Sequence, residues 1–365
     1  MLNLLKKTVQ RLLAVVWIRR CYEAAMRVLL EVLAANRLTS LVYSVISIPA
    51  FNREQFAVLR GQRDYYRNLT RARFSRTELR RNIHRLEKGI LMRPRRPVFA
   101  LDYLMETMEF YERATGQHAS LPDVDIDELT WAHAVLREYF SIIDAGKNPV
   151  VDAARARFNA TLAQFRPDDV QRVPYERART SPSQVRYEDL LALAVQRRSV
   201  RWFEQRPVPR ELIDKALLVG RQSPSACNRL PYSFRIFDDP EMVRRVCSIP
   251  VGTAGYGHQI PTIAVVIGRL NHYFSARDRH VIYVDAALAA MPFMLALETL
   301  GLSSSVINWP DFEPLERKMQ NALGLAYDER VIMLVAIGYA DPQGLVAHSE
   351  KKPLDGLRSY NQLPS

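Results

Sequence analysis

The spacing of apolar residues in this 365-residue chain changes near its middle. Through residue 165 apolar residues recur at helical intervals, as in the stripes within 101–111 and 129–140. After residue 187, apolar runs of strand length, such as 262–267 and 331–337, alternate with helical stretches. Helical spacing alone in the first part, followed by strand-length runs and helical stretches in the second, predicts an all-α domain followed by an α+β domain.

Composition is compatible with two globular domains. The chain is 48% hydrophobic and 25% charged, as globular proteins are, and its length is sufficient for two cores. Residues 166–186 carry three prolines and scattered charges, which is typical of a linker. We therefore predict a helical, basic N-terminal domain at 1–165, a linker at 166–186 and a second domain at 187–365.

The positive charge of the chain is concentrated in its N-terminal quarter. Residues 1–100 contain 21 Lys+Arg and 6 Asp+Glu, whereas the whole chain has a net charge of +12. Amphipathic helices are predicted at 4–13 and 24–33, and basic amphipathic helices bind the headgroups of anionic membranes. The sequence therefore allows a peripheral contact with the inner membrane surface through residues 1–100. The alternative is that these apolar faces pack on each other or on the rest of the protein.

Other features argue against several protein classes. The uncharged stretch 38–52 has 15 residues, fewer than the ~20 that a membrane-spanning helix needs. The arginine-rich stretch 53–97 has no recognised nucleic-acid motif, and its glutamates can pair with neighbouring arginines, so nucleic-acid binding is not expected. Three widely spaced cysteines give neither a disulfide framework nor zinc spacing. These features predict a cytoplasmic protein without a metal site.

The stretch Arg197–Arg201, with the sequence Arg-Arg-Ser-Val-Arg, is the first candidate site. It follows a predicted short helix, 187–196, with apolar residues on one side. Guanidinium groups bind phosphate through paired, charge-assisted hydrogen bonds, and a serine hydroxyl adds a further contact. The stretch therefore suits an anion. A solvated basic helix end is the alternative, because cations near a helix C-terminus are favourable in any case.

Further landmarks follow this stretch in the chain. They are a Pro-Ser-x-x-Asn-x-x-Pro loop at 224–231, a long helix ending in Gly-Leu at 301–302, a late strand ending in Gly-Tyr at 338–339, and a Lys-Lys tail at 351–352. In this order and at these distances they make residues 187–360 resemble the FMN-dependent nitroreductase family. The resemblance implies an α+β nitroreductase-like fold, with an antiparallel-type mixed sheet flanked by helices. It also implies a homodimer with FMN at the interface.

The resemblance assigns a role to each matching residue. Arg197 and Ser199 would hold the FMN phosphate and ribityl chain, and Arg201 would stabilise negative charge at the pyrimidine edge of the flavin. Lys351 would add a second cation at the phosphate, with help from Lys352. The implied cofactor contacts are Arg197, Arg198, Ser199, Arg201, Pro224, Ser225, Ala226, Asn228, Ser304, Ser305, Lys351 and Lys352.

The activity implied by the resemblance is a ping-pong oxidoreduction. NADH or NADPH would give hydride to FMN and leave, and an electron-poor nitro or quinone acceptor would then bind at the same site on the flavin. Residues 224–228 would touch the flavin from the other subunit. Alternatives on the same fold are a dehydrogenase, a dehalogenase, a flavin-consuming biosynthetic enzyme, or a non-catalytic flavin-binding module whose basic domain docks on a membrane or partner.

Two smaller groups could also contribute to a site. His84, Glu87 and Lys88 share one helical face and could bind an acidic ligand or line a neighbouring active site. The alternative is an ordinary cationic helix end. His258, in the glycine-rich loop 252–258, could donate a proton or could be an ordinary surface histidine.

Overall fold

The computed structural model describes residues 15–46, 48–69, 72–116, 123–167 and 172–361. Contacts between Cα atoms separate two compact units, residues 1–56 with 311–314 and residues 57–310 with 315–365. This separation does not follow the proposed linker at 166–186, and the domain boundaries drawn from the sequence stay a prediction.

The first unit contains helices α1 (Val16–Leu33) and α2 (Arg37–Ile46), which contact each other. Asn36 begins α2, because its side-chain oxygen accepts backbone N–H groups of the first turn at 2.9 and 3.0 Å. Helix α1 includes the predicted helix at 24–33. The other predicted helix, 4–13, lies outside the described residues.

A helical region follows and forms the first part of the second unit. Its helices are α3 (Ile48–Asn68), α4 (Ala72–Ile90), α5 (Leu104–Gly116), α6 (Asp123–Ser141) and α7 (Pro149–Thr161), with α3 crossing the boundary between the units. Helices α4 to α7 share one core, which contains both apolar stripes expected from the sequence apart from Leu101, which is exposed. Leu104 and Leu136 are fully buried in it.

A four-stranded sheet organises the rest of the second unit. Its strands β1 (Tyr232–Phe237), β2 (Thr262–Arg269), β3 (Ser303–Asn308) and β4 (Glu329–Gly338) lie in the order β1-β2-β4-β3. All three strand pairs are antiparallel, and a single parallel bridge joins Ser199 to Ser304. Strand β3 was missed from the sequence, because its three serines follow a Gly-Leu helix end and have little strand propensity. Its pairing with β4 makes it a strand.

Helices cover both faces of this sheet. They are α8 (Tyr187–Gln196), α9 (Arg210–Gly220), α10 (Pro240–Cys247), α11 (Val281–Thr299) and α12 (Glu313–Leu323). In β2, Ala264 and Val266 point into the core that contains α9 and α11, whereas Val265 points into the core that contains α10. A strand that is buried on both faces reads as a continuous apolar run, which is how β2 appears in the sequence.

Among the described residues, the segment Ala276–Thr299 is long and apolar enough by length and composition to cross a membrane. Half of its most apolar 18-residue stretch is buried inside the protein. Helix α11, which it contains, packs against α9 and the sheet as a core helix, which accounts for its apolar character.

Candidate functional site

The stretch after α8 meets the start of β3. The backbone N–H of Arg197 donates to the Leu193 carbonyl at 3.0 Å and ends the helix. Ser199 then bridges Ser304, and the N–H of Val200 donates to the Ser304 carbonyl at 3.1 Å. This short pairing fixes the arginine-rich stretch along the edge of the sheet. The structure thus brings Ser199, and with it Arg197, to Ser304 at the start of β3, and their assignment to a cofactor site stays a prediction.

Several polar atoms at this edge are buried without a hydrogen-bond partner among the described residues. They include Nε of Arg197, Oε1 of Glu298 and Oγ of Ser304, and Ser304 is entirely buried. A buried donor on a cation without an acceptor is costly, so this edge is complementary to an anionic or hydrogen-bonding ligand. Arg198, between Arg197 and Ser199, is half-buried.

An acidic side chain also belongs to this edge. Glu298, near the end of α11, is half-buried, and burial raises the pKa of its carboxyl. Gln196 and Arg197 oppose that shift by stabilising the carboxylate. Glu298 therefore provides a counter-charge to Arg197. It was not found from the sequence, because it lies about 100 positions away along the chain within an otherwise apolar helix.

Arg201 has a different environment. It is exposed, and its guanidinium carbon lies 5.9 Å from the centre of the Tyr256 ring. Burial raises the pKa of the Tyr256 phenol, and Arg201 opposes the shift. Ser305 lies beside the same phenol. From the loop 252–258, the structure therefore brings Tyr256 to the site, whereas His258 is exposed to solvent.

The second part of the predicted site is the loop at 223–231, which lies against α11. The Ser223 hydroxyl donates to the Leu288 carbonyl at 3.0 Å, and the Ala226 N–H donates to a carboxylate oxygen of Asp285 at 3.0 Å. Asp285 is buried, and burial raises its pKa, although the Ala226 N–H opposes this shift. Pro224 is exposed, and Ser225, Ala226 and Asn228 are half-buried.

The two parts of the site are far apart within one chain. Helix α11 carries Asp285, at the loop, and Glu298, beside Arg197. Thirteen residues of helix separate these positions, about 20 Å at 1.5 Å per residue. One chain therefore does not bring residues 224–228 to the edge formed by Arg197 and Ser304.

The remaining candidates are not joined to either part. Lys351 and Lys352 lie in an exposed tail, where the Lys351 N–H donates to Glu350 at 3.0 Å. His84 and Glu87 interact with each other at 3.1 Å, and Glu87 also accepts a hydrogen bond from Trp131 at 2.9 Å. This group, with Lys88 beside it on α4, belongs to the helical region. The described residues contain no cluster of three or more His, Cys, Asp or Glu that could hold a metal.

Comparison with known proteins identifies this region. A family model described as the Nitroreductase family matches residues 194–248 and 250–339. The match confirms the resemblance read from the sequence, and it includes all the predicted contacts from Arg197 to Ser305. The tail lysines lie outside it.

Two curated relatives differ in what their names describe. Iodotyrosine deiodinase 1 of Homo sapiens is 22% identical over 236 residues, which cover 56% of this chain and 81% of that protein. A Methanothermobacter thermautotrophicus protein, provisionally named an NADH dehydrogenase/NAD(P)H nitroreductase, is 28% identical over 154 residues, or 41% of this chain and 77% of that protein.

Solved structures align with about half of the chain. An FMN-dependent nitroreductase from Clostridium difficile R20291 aligns with a TM-score of 0.41 and 21% identity, covering 47% of this chain and 99% of that one.

Proposed function

We propose that the protein is a flavin oxidoreductase that binds FMN, on the premise that the Nitroreductase family model matches residues 194–248 and 250–339. Its proposed reaction takes hydride from NADH or NADPH and passes it to an electron-poor organic acceptor of the nitro or quinone type. The observation that carries the proposal is the buried, unpartnered Nε of Arg197 next to the Ser199–Ser304 bridge. This edge offers a fixed cation and hydroxyl groups, which suit the phosphate and polyol of FMN.

FMN, when bound, supplies the two-electron chemistry. The side chains of this chain bind and orient it. Arg197 would neutralise the phosphate, with Glu298 as a nearby counter-charge to its guanidinium. Arg201 would place a positive charge where the flavin ring becomes more negative on reduction. The backbone of Ser304 and Ser305 would line the ring.

A homodimer is part of the proposal, because one chain does not complete the site. Residues 224–228 lie about 20 Å along α11 from Arg197, so a second copy would supply them to the flavin held by the first. The surfaces that a second copy would cover are apolar and exposed. They include Leu190, Leu191 and Val195 of α8, Val284, Leu288 and Met291 of α11, and Leu354, Leu357 and Tyr360 of the tail.

A second candidate reaction rests on the similarity to iodotyrosine deiodinase, which extends over 81% of that protein. It is reductive removal of halide from a halogenated phenol at the same flavin. The positive charge of Arg201 beside Tyr256 would favour a phenolate-bearing substrate over a neutral quinone.

The absorption spectrum of the purified protein tests the cofactor assignment. We expect a yellow protein with about one FMN per chain, or uptake of added FMN to that level, and weaker binding in Arg197→Ala. NADH and NADPH oxidation with a quinone, compared with halide release from iodotyrosine, distinguishes the two reactions. A folded, colourless protein that takes up no FMN would contradict the assignment.

A further inference from the structure

Helix α4 reaches the loop 223–231 from outside the region that the family model matches. Nε of Arg80 donates to the Asn228 carbonyl at 2.7 Å. The arginine is itself held by helix α6, because it forms an ion pair with Glu128 at 3.0 Å and its guanidinium lies 5.5 Å from the Trp131 ring. A charge-assisted hydrogen bond from a side chain fixed in this way specifies the position of the carbonyl that accepts it.

A buried ion pair makes a second contact between α4 and the loop. Glu78 accepts hydrogen bonds from Arg229 at 3.2 Å and from Arg81 at 2.8 Å. The side chains of Glu78 and Arg229 are only 3% and 4% exposed. The Tyr65 phenol lies against the same carboxylate, and its burial and the negative charge of Glu78 raise its pKa. Removing one partner of such a pair leaves a buried charge without compensation.

The loop has a backbone conformation that needs external support. Cys227, Asn228 and Leu230 have φ angles of 53°, 53° and 48°, in the left-handed region that residues with a Cβ adopt at a cost. Such conformations persist only where the surroundings determine them. The N–H groups of Ala226, Asn228 and Leu230 are satisfied by Asp285 and by Ser225, whereas the Asn228 carbonyl depends on Arg80.

Apolar packing does not replace these polar contacts on the side of α4. A cavity of about 660 Å³ is lined there by Glu78, Arg80, Arg229 and Leu230, among others. Because part of the space between α4 and the loop is open, the hydrogen bond of Arg80 and the ion pair of Glu78 are major contacts between α4 and the loop.

We propose that Arg80 and Glu78 are positioning residues for the flavin site. They hold residues 225–230 in the conformation in which this loop contacts the cofactor, and the helical region thereby controls cofactor affinity. The expected effect on FMN affinity rests on the proposed function. The expected effect on the loop conformation does not. Loss of the contact would relax the loop toward ordinary backbone angles and withdraw it from the flavin.

Hydrogen exchange and FMN titration of Arg80→Ala test the proposal. We expect the amides of Asn228, Arg229 and Leu230 to exchange about ten- to a hundredfold faster in the protein without FMN, the range that corresponds to one lost charge-assisted hydrogen bond. We expect FMN affinity to fall by a similar factor. Exchange in the core of helices α5 and α6 stays as in the wild type.

Two further variants control the experiment. Arg85→Ala removes an arginine of the same helix that pairs with Asp102 and lies over Tyr103, away from the loop, and it leaves loop exchange and FMN affinity unchanged. Arg80→Lys keeps the charge beside Glu128 and therefore the fold, but it replaces the planar guanidinium, which donates in two directions, with a single ammonium group. We expect an intermediate effect on loop exchange and on FMN affinity. This variant keeps the test valid if Arg80→Ala does not fold.

The outcomes separate the positioning role from the cofactor assignment. Unchanged loop exchange in both Arg80 variants overturns the positioning role, whether or not the wild type binds FMN. Faster exchange confined to the loop supports it, even if the wild type takes up no flavin and the proposed function fails. Faster exchange throughout the helical region would show that Arg80 stabilises the fold generally, and would also overturn the proposal.

Discussion

Arg197 and Arg201 are separated by four positions, yet their surroundings differ. Arg197 has a buried Nε and is close to Glu298, whereas Arg201 is exposed and faces Tyr256. A buried cation at one end of a site is suited to a phosphate, whose charge is the same in both redox states. A cation at the flavin ring interacts with a group whose charge changes on reduction.

The two arginines should therefore have separable effects. Arg197→Ala is expected to weaken FMN binding by about ten- to a hundredfold, the effect of one lost charge-assisted contact, with little change in flavin redox potential. Arg201→Ala is expected to lower the potential by about 30–60 mV, since about 30 mV corresponds to a tenfold change for a two-electron couple. FMN titration and potentiometry measure both. Equal shifts of potential in the two variants would contradict this assignment of roles.

At the scale of residues, the sequence predicted some of the residues assigned to the site and missed others. Arg197, Ser199 and Ser304 were predicted as parts of one site, because the order of motifs in the chain identified them. Tyr256, Glu298 and the contacts of Arg80 were missed. Each is brought to the site by packing between segments that no spacing rule connects.

At the scale of elements, helix α8 buries none of its side chains against the rest of its own chain. It has ten residues and none of them is buried, although Leu190, Leu191 and Val195 are apolar. Isolated helices of this length are marginally stable in water, so tertiary contacts must stabilise α8. In the proposed dimer, the second copy supplies these contacts.

A charge on the apolar face of α8 should therefore dissociate the dimer. For Leu190→Glu we expect a monomer by light scattering, with loss of FMN, because burying an unpaired carboxylate at an interface costs several kcal/mol. Glu188→Gln, on the same helix, is the matched control and remains dimeric. A wild type that is monomeric with FMN bound would contradict the role given to this face.

At the scale of the whole molecule, helices α1 and α2 have no role in the proposed flavin chemistry. In the first unit, apolar side chains of α1 and α2 are exposed, among them Trp17, Leu38 and Leu41. Together with the basic balance of residues 1–100, these side chains support the proposal that the N-terminal part docks on the inner face of an anionic membrane.

Flotation with vesicles measures this docking. We expect the full chain to float with anionic vesicles and not with neutral ones, and salt to weaken the binding, because each basic residue contributes at most ~1 kcal/mol and is screened within ~10 Å. Leu38→Asp combined with Leu41→Asp should reduce binding. Leu345→Asp, in an exposed part of the tail, should not. A folded wild type that floats with neither vesicle would refute docking.

The amino-acid sequence by itself determined the class of each half of the protein. Apolar residues at helical spacing became the core of α4 to α7, and the apolar runs at 262–267 and 331–337 became β2 and β4. The nitroreductase-like fold was recognised from motifs in chain order. These features are local, or depend only on order along the chain. Periodicity and short motifs therefore suffice to predict them.

Only the tertiary structure decided how these elements form a site. Three serines became strand β3 because β4 was available to pair with them, and α11 separated two groups of predicted residues that one chain does not join. The buried pair of Glu78 and Arg229 joins positions 151 residues apart, and Arg80 reaches Asn228 across 148. Charges on such residues look like ordinary surface charges in a sequence. Their burial, and hence their energetic weight, exists only after the helical region has packed on the loop.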